Sequence, residues 1–411
     1  MTKVSRERPL GAYRVVELGG VAPMMAGKTL ADLGADVVRV EPPCGDPGRA
    51  LPPRGRGNHD GTLWTATNLG KRSVTADLSH TEGCELVREL IERSDVLIED
   101  FPPGMLESRG MGPDALRRDR PKLIVASITT FGRTGPRASC TGSALVSLAT
   151  GGYLYMTGPS DGPPLKPSAP YQSEFHAGMH AAAAILLALR RRRRSGHGAH
   201  IDLAIRETAT WMLTHTYQFY DLAGVNLRRQ GSGRDMGGGA RLRSVFEAAD
   251  GYIVWMFMTG HIGGRNIKEL IAWMGDEHAS PWLREIDWDE FDLRSAGPEI
   301  LRELDAQFAR FFKTKSREEL TAWALDCGVM LSPVQTLAEV LDDPQLAARD
   351  AWRTMAQAGG PRVPGPPVRM SGARWEPRGE APSPGAHNSE VYGMMGVDAS
   401  RLDDLRERDV I

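Results

Sequence analysis

Cysteine is scarce and scattered. The chain has four, Cys44, Cys84, Cys140 and Cys327, with no Cys-x-x-Cys pair among them. That spacing argues against a disulfide framework and a thiolate metal centre; free thiols in a reducing compartment fit it best. His176 and His180 stand at i, i+4 spacing, but a pair without a third ligand does not make a metal site. No metal is expected. Long apolar runs are missing too. None reaches the roughly 18 residues of a membrane span, and the N-terminal MTKVSRERPLGAYRVVEL lacks the apolar core of a secretory signal. A cytoplasmic protein is expected. Neither sign of charge dominates. Lys and Arg number 50 against 52 Asp and Glu, a net charge of -2, so nothing points to a nucleic-acid or membrane-surface binder.

What is present reads as an α/β protein. The 411 residues exceed one simple core, so two domains are expected. YRVVEL (13–18), DVVRVE (36–41), DVLIED (95–100) and KLIVASI (122–128) are short apolar runs rich in β-branched residues and read as buried strands. Helical patterns separate them at 24–35, 81–94 and 112–121. Alternation of this kind predicts a parallel, doubly wound sheet. Ligands of such sheets bind beyond the carboxyl ends of the strands. The loops after Leu18, Glu41, Asp100 and Ile128 are therefore where a site belongs.

A long helix follows at about 177–194, then a strand at 199–205 and helix to about 224. Residues 244–258 read as a β-hairpin turning at Asp250-Gly251. Helices dominate 264–328, with a short strand near 331–336. The Pro/Gly-rich 359–388 reads as a linker, and a last helix near Asn388 precedes a polar tail. Arg190 to Arg194 read as the solvated end of the long helix, where cations suit the dipole. GSGRDMGGG (231–239) is glycine-rich but lacks the setting and the lysine of a P-loop.

Several segments, taken in order, resemble the class III CoA-transferases, the family of formyl-CoA transferase and carnitine CoA-transferase. They include LADLGADVVRVEPPCGDPGR, NLGKRSVTADLSHTEG, DVLIEDFPPGML, SITTFGRTGP, GMHAAAAILLAL, SGHGAHIDLAI and LSPVQTLAEVLDDPQLAARD. The likeness covers almost the whole chain. It implies a large Rossmann-like domain built from both chain ends (1–224 and a return at 341–411). It also implies a small α+β domain (225–340) and an interlocked dimer. The family moves CoA from an acyl-CoA to a free carboxylic acid. An aspartate attacks the thioester, a mixed anhydride forms, and CoA returns to give an enzyme thioester that the acceptor acid resolves. This is covalent catalysis.

The same likeness assigns the site. The family aspartate lies four residues before the glycine of the long helix, and counting back from Gly178 reaches Glu174. Glutamate is also a carboxylate, one methylene longer. CoA contacts are implied at Val21 and Ala22, at Arg39, at Lys71 and Arg72, and at Asp100 and Phe101. Gly237, Gly238 and Gly239 correspond to a mobile loop that closes over the acyl group. Two other departures surround Glu174. The first loop, GGVAPMMAG, is one residue shorter than the family's, and Asp100 replaces an asparagine. A carboxylate near the CoA pyrophosphate is unfavourable.

Three functions follow from the likeness. The first is a heteromer subunit that moves CoA from a donor such as succinyl-CoA to an aromatic-degradation acid such as benzylsuccinate, while a homologous partner carries the aspartate. The second is a homodimer that uses Glu174. The third is a 2-methylacyl-CoA racemase. That branch carries a histidine after Gly-Pro, and RASCTGSALVSLATGG has none.

Overall fold

The computed structural model describes residues 8–54, 60–235, 241–293, 295–355, 360–373, 375 and 379–411. Six strands form one parallel sheet: β1 (Arg14–Glu17), β2 (Asp36–Glu41), β3 (Arg72–Thr75), β4 (Val96–Glu99), β5 (Ile124–Thr129) and β6 (His200–Ala204). Their order is β3-β2-β1-β4-β5-β6. The helices that concern the site are α1 (Val21–Asp32), α2 (Thr62–Asn68), α3 (Thr81–Glu92), α4 (Pro113–Asp119), α5 (Ala144–Thr150) and α6 (Gln172–Ser195). The expected α/β class and doubly wound sheet are observed. Strand order reverses between β1 and β4, so the crevice beyond their carboxyl ends is the place for a ligand.

Side chains alternate across each strand, and both faces are covered. Val16, Leu97 and Val125 pack with Val87 and Leu90 of α3. Val15, Ile98 and Ala126 pack with Ala26 and Leu30 of α1 and Ala181 and Ile185 of α6. These strands read as continuous apolar runs because neither face meets water.

The chain clusters into two compact units. One comprises Met1–Gly151, Ala169–Trp211 and Pro344–Ile411; the other comprises Gly152–Ser168 and Met212–Asp343. The second unit has a three-stranded antiparallel sheet, Leu331–Pro333, Gly251–Trp255 and Val245–Ala248 in that order. The hairpin turns at Ala249-Asp250, since Gly251 already pairs with Ala248. Trp255 is the hub of this unit's core, with Phe308 at 4.9 Å and Phe312 at 5.4 Å between ring centroids.

Several elements depart from the sequence expectation. β3 is too short and too charged to show as an apolar run. The polar tail is no tail: Ala399–Glu407 is helical, and Val410 and Ile411 are buried in the sheet's core. α1 begins at Val21, three residues early, because Pro23 falls in the first turn, where a missing N–H costs nothing. α6 begins at Gln172, after Tyr171 in the left-handed conformation (φ 61°). Glu174 therefore lies inside the first turn of α6, not ahead of it. Gly237, Gly238 and Gly239 lie outside the described residues.

Candidate active site

The loops after β1 and β4 meet at the crevice. Both carboxylate oxygens of Asp100 accept the Gly20 N–H, at 3.0 and 2.9 Å. Gly19 makes this approach possible. Its φ is +99°, and a Cβ there would lie 1.8 Å from an Asp100 oxygen. Glu99 accepts the Phe101 N–H at 2.8 Å, which fixes the turn. Burial pushes the Asp100 carboxyl up to about 7, against the opposing effects of the Gly20 N–H and nearby Arg39. Asp100 thus takes the N–H at the start of α1 that would otherwise face an incoming anion.

Two cavities flank Asp100. The larger, about 660 Å³, is walled by Leu18, Val40, Leu51 and Met105, and Arg109 stands at its edge. Arg109 is held by the carbonyls of Leu78 (2.7 Å) and Met105 (2.9 Å). The smaller, about 270 Å³, is lined by Val21, Asp100, Phe101, Thr129, Tyr171 and Glu174, among others. Glu174 is half-buried, and Ser173 Oγ donates to its Oε2 at 2.9 Å. Burial raises its pKa above the ordinary glutamate value and outweighs the Ser173 bond.

The structure therefore brings Val21, Asp100, Phe101 and Glu174 together. Ala22 is buried one residue inside α1. Arg39 and Lys71 lie in the interior beneath the crevice. Arg39 pairs with Glu17 at 3.0 Å and with Asp46. Lys71 pairs with Glu17 at 2.8 Å and donates to Met24 O and Asn68 Oδ1. Burial pushes its ammonium down to about 8 despite Glu17. Their charge is spent on holding Glu17, not presented to a ligand. Arg72 starts β3 and pairs with Asp36, the first residue of β2, and with Glu390. That is the amino edge of the sheet, opposite the crevice. Among the described residues no group of three or more His, Cys, Asp or Glu is arranged to hold a metal. No helix among them is long and apolar enough to cross a membrane. Thr129, Tyr171, Ser173 and Arg109 escaped the sequence reading. Thr129 had a signal, since it sits in the strand end after Ile128 that topology marks.

Comparison with known proteins gives the family. The profile of CoA-transferase family III matches residues 10–388. The chain is 32% identical over 407 residues to the succinyl-CoA:(R)-benzylsuccinate CoA-transferase subunit BbsE of Thauera aromatica, covering 96% of each. It is 33% identical to a succinate–glutarate CoA-transferase of Agrobacterium fabrum, covering 95% of this chain and 96% of that one. Among solved structures, a CAIB/BAIF family protein from Brucella suis superposes with a TM-score of 0.81 at 30% identity, over 95% of this chain and all of that one. A sheet in the order β3-β2-β1-β4-β5-β6 and a match spanning nearly the whole chain agree: the chain belongs to CoA-transferase family III, enzymes whose substrates are acyl-CoA and a carboxylic acid.

Proposed function

We propose that this chain is the acyl-CoA-binding subunit of a succinyl-CoA-dependent CoA-transferase, with Glu174 as its acyl-accepting carboxylate. The observation that carries this reading is the place of Glu174 in the cavity beside Asp100 and Phe101, at the switch point. In the proposed reaction a Glu174 oxygen attacks the thioester carbon. A C–O bond forms, the C–S bond breaks, and CoA thiolate leaves with the electron pair. The thiolate then adds to the Glu174 carbonyl of the anhydride and frees the donor acid. The acceptor acid runs both steps in reverse. The 660 Å³ cavity, with apolar walls and Arg109 at its edge, suits the nucleotide end of CoA. Val21, Asp100 and Phe101 would line the path between the two ends. Arg39 and Lys71 would act only by holding the floor.

The relatives support succinyl-CoA as donor. Likeness to a benzylsuccinate CoA-transferase subunit supports an aromatic-degradation acid as acceptor and a homologous chain as partner. A second reading makes this chain a silent member of an interlocked heteromer whose partner supplies the aspartate. The observation favouring it is the extra methylene of Glu174, since a misplacement of about 1 Å costs roughly a hundredfold in rate. One experiment separates the two. The chain is purified alone and after co-expression with a homologous family III chain from the same genome, and each assembly is measured by native mass spectrometry. Succinyl-CoA and hydroxylamine should then add a hydroxamate to the Glu174 peptide, and Glu174→Gln should reduce turnover to background. An unlabelled peptide, with turnover retained in Glu174→Gln, returns the nucleophile to the partner.

A further inference from the structure

Thr129 ends β5 and lines the 270 Å³ cavity that contains Glu174. It is only 8% exposed, and its hydroxyl has no hydrogen-bond partner among the described residues. Buried hydroxyls are normally paired, because an unpaired one forfeits its hydration for nothing. Ser147 Oγ in this unit is likewise unpartnered among the described residues but is not in the lining of this cavity, whereas other buried hydroxyls are satisfied within the fold. Ser73 Oγ donates to Glu41 at 2.6 Å, and Thr208 Oγ1 to Ile205 O at 2.7 Å. Among the described residues, the lining of this cavity also includes no Lys, Arg or His side chain. The donors that the described lining offers to a bound carbonyl oxygen are therefore neutral.

We propose that Thr129 is a substrate-contacting residue whose hydroxyl donates a hydrogen bond to the carbonyl oxygen of the acyl group. This rests on the reading that the Glu174 cavity receives the acyl end of acyl-CoA. As the Glu174 oxygen adds to the thioester carbon, the C=O electron pair moves onto the carbonyl oxygen. The Thr129 O–H meets that growing charge without giving up its proton. When the C–S bond breaks, the pair returns to the carbonyl and thiolate departs. A hydroxyl left unpaired in the free protein suits this role, because no internal bond must break before it engages the substrate.

The test uses the full chain in its purified assembly, in a Glu174→Gln background so that binding is read without acylation. Calorimetry compares butyryl-CoA, which carries the thioester carbonyl and no second charge, with CoA. Butyryl-CoA should bind more tightly. Thr129→Val should remove about fivefold of that preference and leave CoA affinity unchanged, while Thr129→Ser should retain it. With Glu174 intact, Thr129→Val should also slow hydroxamate formation. The melting temperature supplies an independent sign. Removing an unpaired buried hydroxyl should raise it, whereas removing a structural one lowers it. An unchanged preference in Thr129→Val, equal weakening of both ligands, no preference in the parent or a lowered melting temperature would each overturn the proposal. Because the affinities are read without Glu174, they stand or fall separately from its role as nucleophile.

Discussion

Asp100 joins two loops through one backbone N–H, and its burial raises its pKa to about 7. An unfolded aspartate titrates near 4. A carboxyl with the higher pKa in the folded state binds its proton more readily there, so stability falls as pH rises from about 4 to about 7. Above about 7 the whole penalty is present. Asp100→Asn keeps an acceptor for Gly20 and removes the charge. It should raise the urea midpoint at pH 8, and the gain should shrink as pH falls towards 5. A gain independent of pH would show that ionisation of Asp100 is not the cause. Glu174 as a candidate was legible by likeness, because its spacing from Gly178 survives in the sequence; its place in the cavity lining was not. The free hydroxyl of Thr129 was not, since its lack of a partner exists only once β5 and the loops around it are packed.

At the scale of elements, α1 and α6 decide where Glu174 sits. They pack closely because Gly178 has no side chain. A Cβ there would lie 2.6 Å from Ala22 O and 2.7 Å from Met25 Cβ. Gly178 is one turn beyond Glu174, and Ala22 adjoins Val21 at the cavity. Gly178→Ala should push the helices apart, at a cost of about 1–3 kcal/mol. It should also slow hydroxamate formation at Glu174 more than it weakens CoA binding. Urea unfolding and single-turnover labelling check the two effects; a variant as stable and as fast as the parent would refute the close-packing role. The buried floor has the same logic. Glu17 ends β1 between Arg39 and Lys71, which explains why two cations expected at the ligand lie beneath it. A sequence shows that a basic residue is present, but only the packed strands show which carboxylate has taken its charge.

At the scale of the molecule, the unit that holds the sheet draws on both ends of the chain. Tyr392 donates to Thr75 O at 2.8 Å, Asp77 N–H to Val410 O at 2.8 Å, and Arg401 and Arg408 pair with Glu82. Deleting residues 409–411 removes the buried Val410 and Ile411 and should cost about 3 kcal/mol, read as a lower urea midpoint. An unchanged midpoint would mean that these residues fray without consequence. The alternation of apolar strands and helices was determined by the sequence itself, because covered strands must be apolar throughout and helices must repeat near 3.6 residues. The carboxyl-end loops followed from the same alternation. Tertiary structure alone decided the rest. Strand order put Glu17, Arg39 and Lys71 in one interior network, α6 began early enough to hold Glu174 in its first turn, and the chain's polar end folded back onto the core. Each depends on contacts between residues distant in the chain, and local pattern carries no information about which distant partner a charge or hydroxyl will meet.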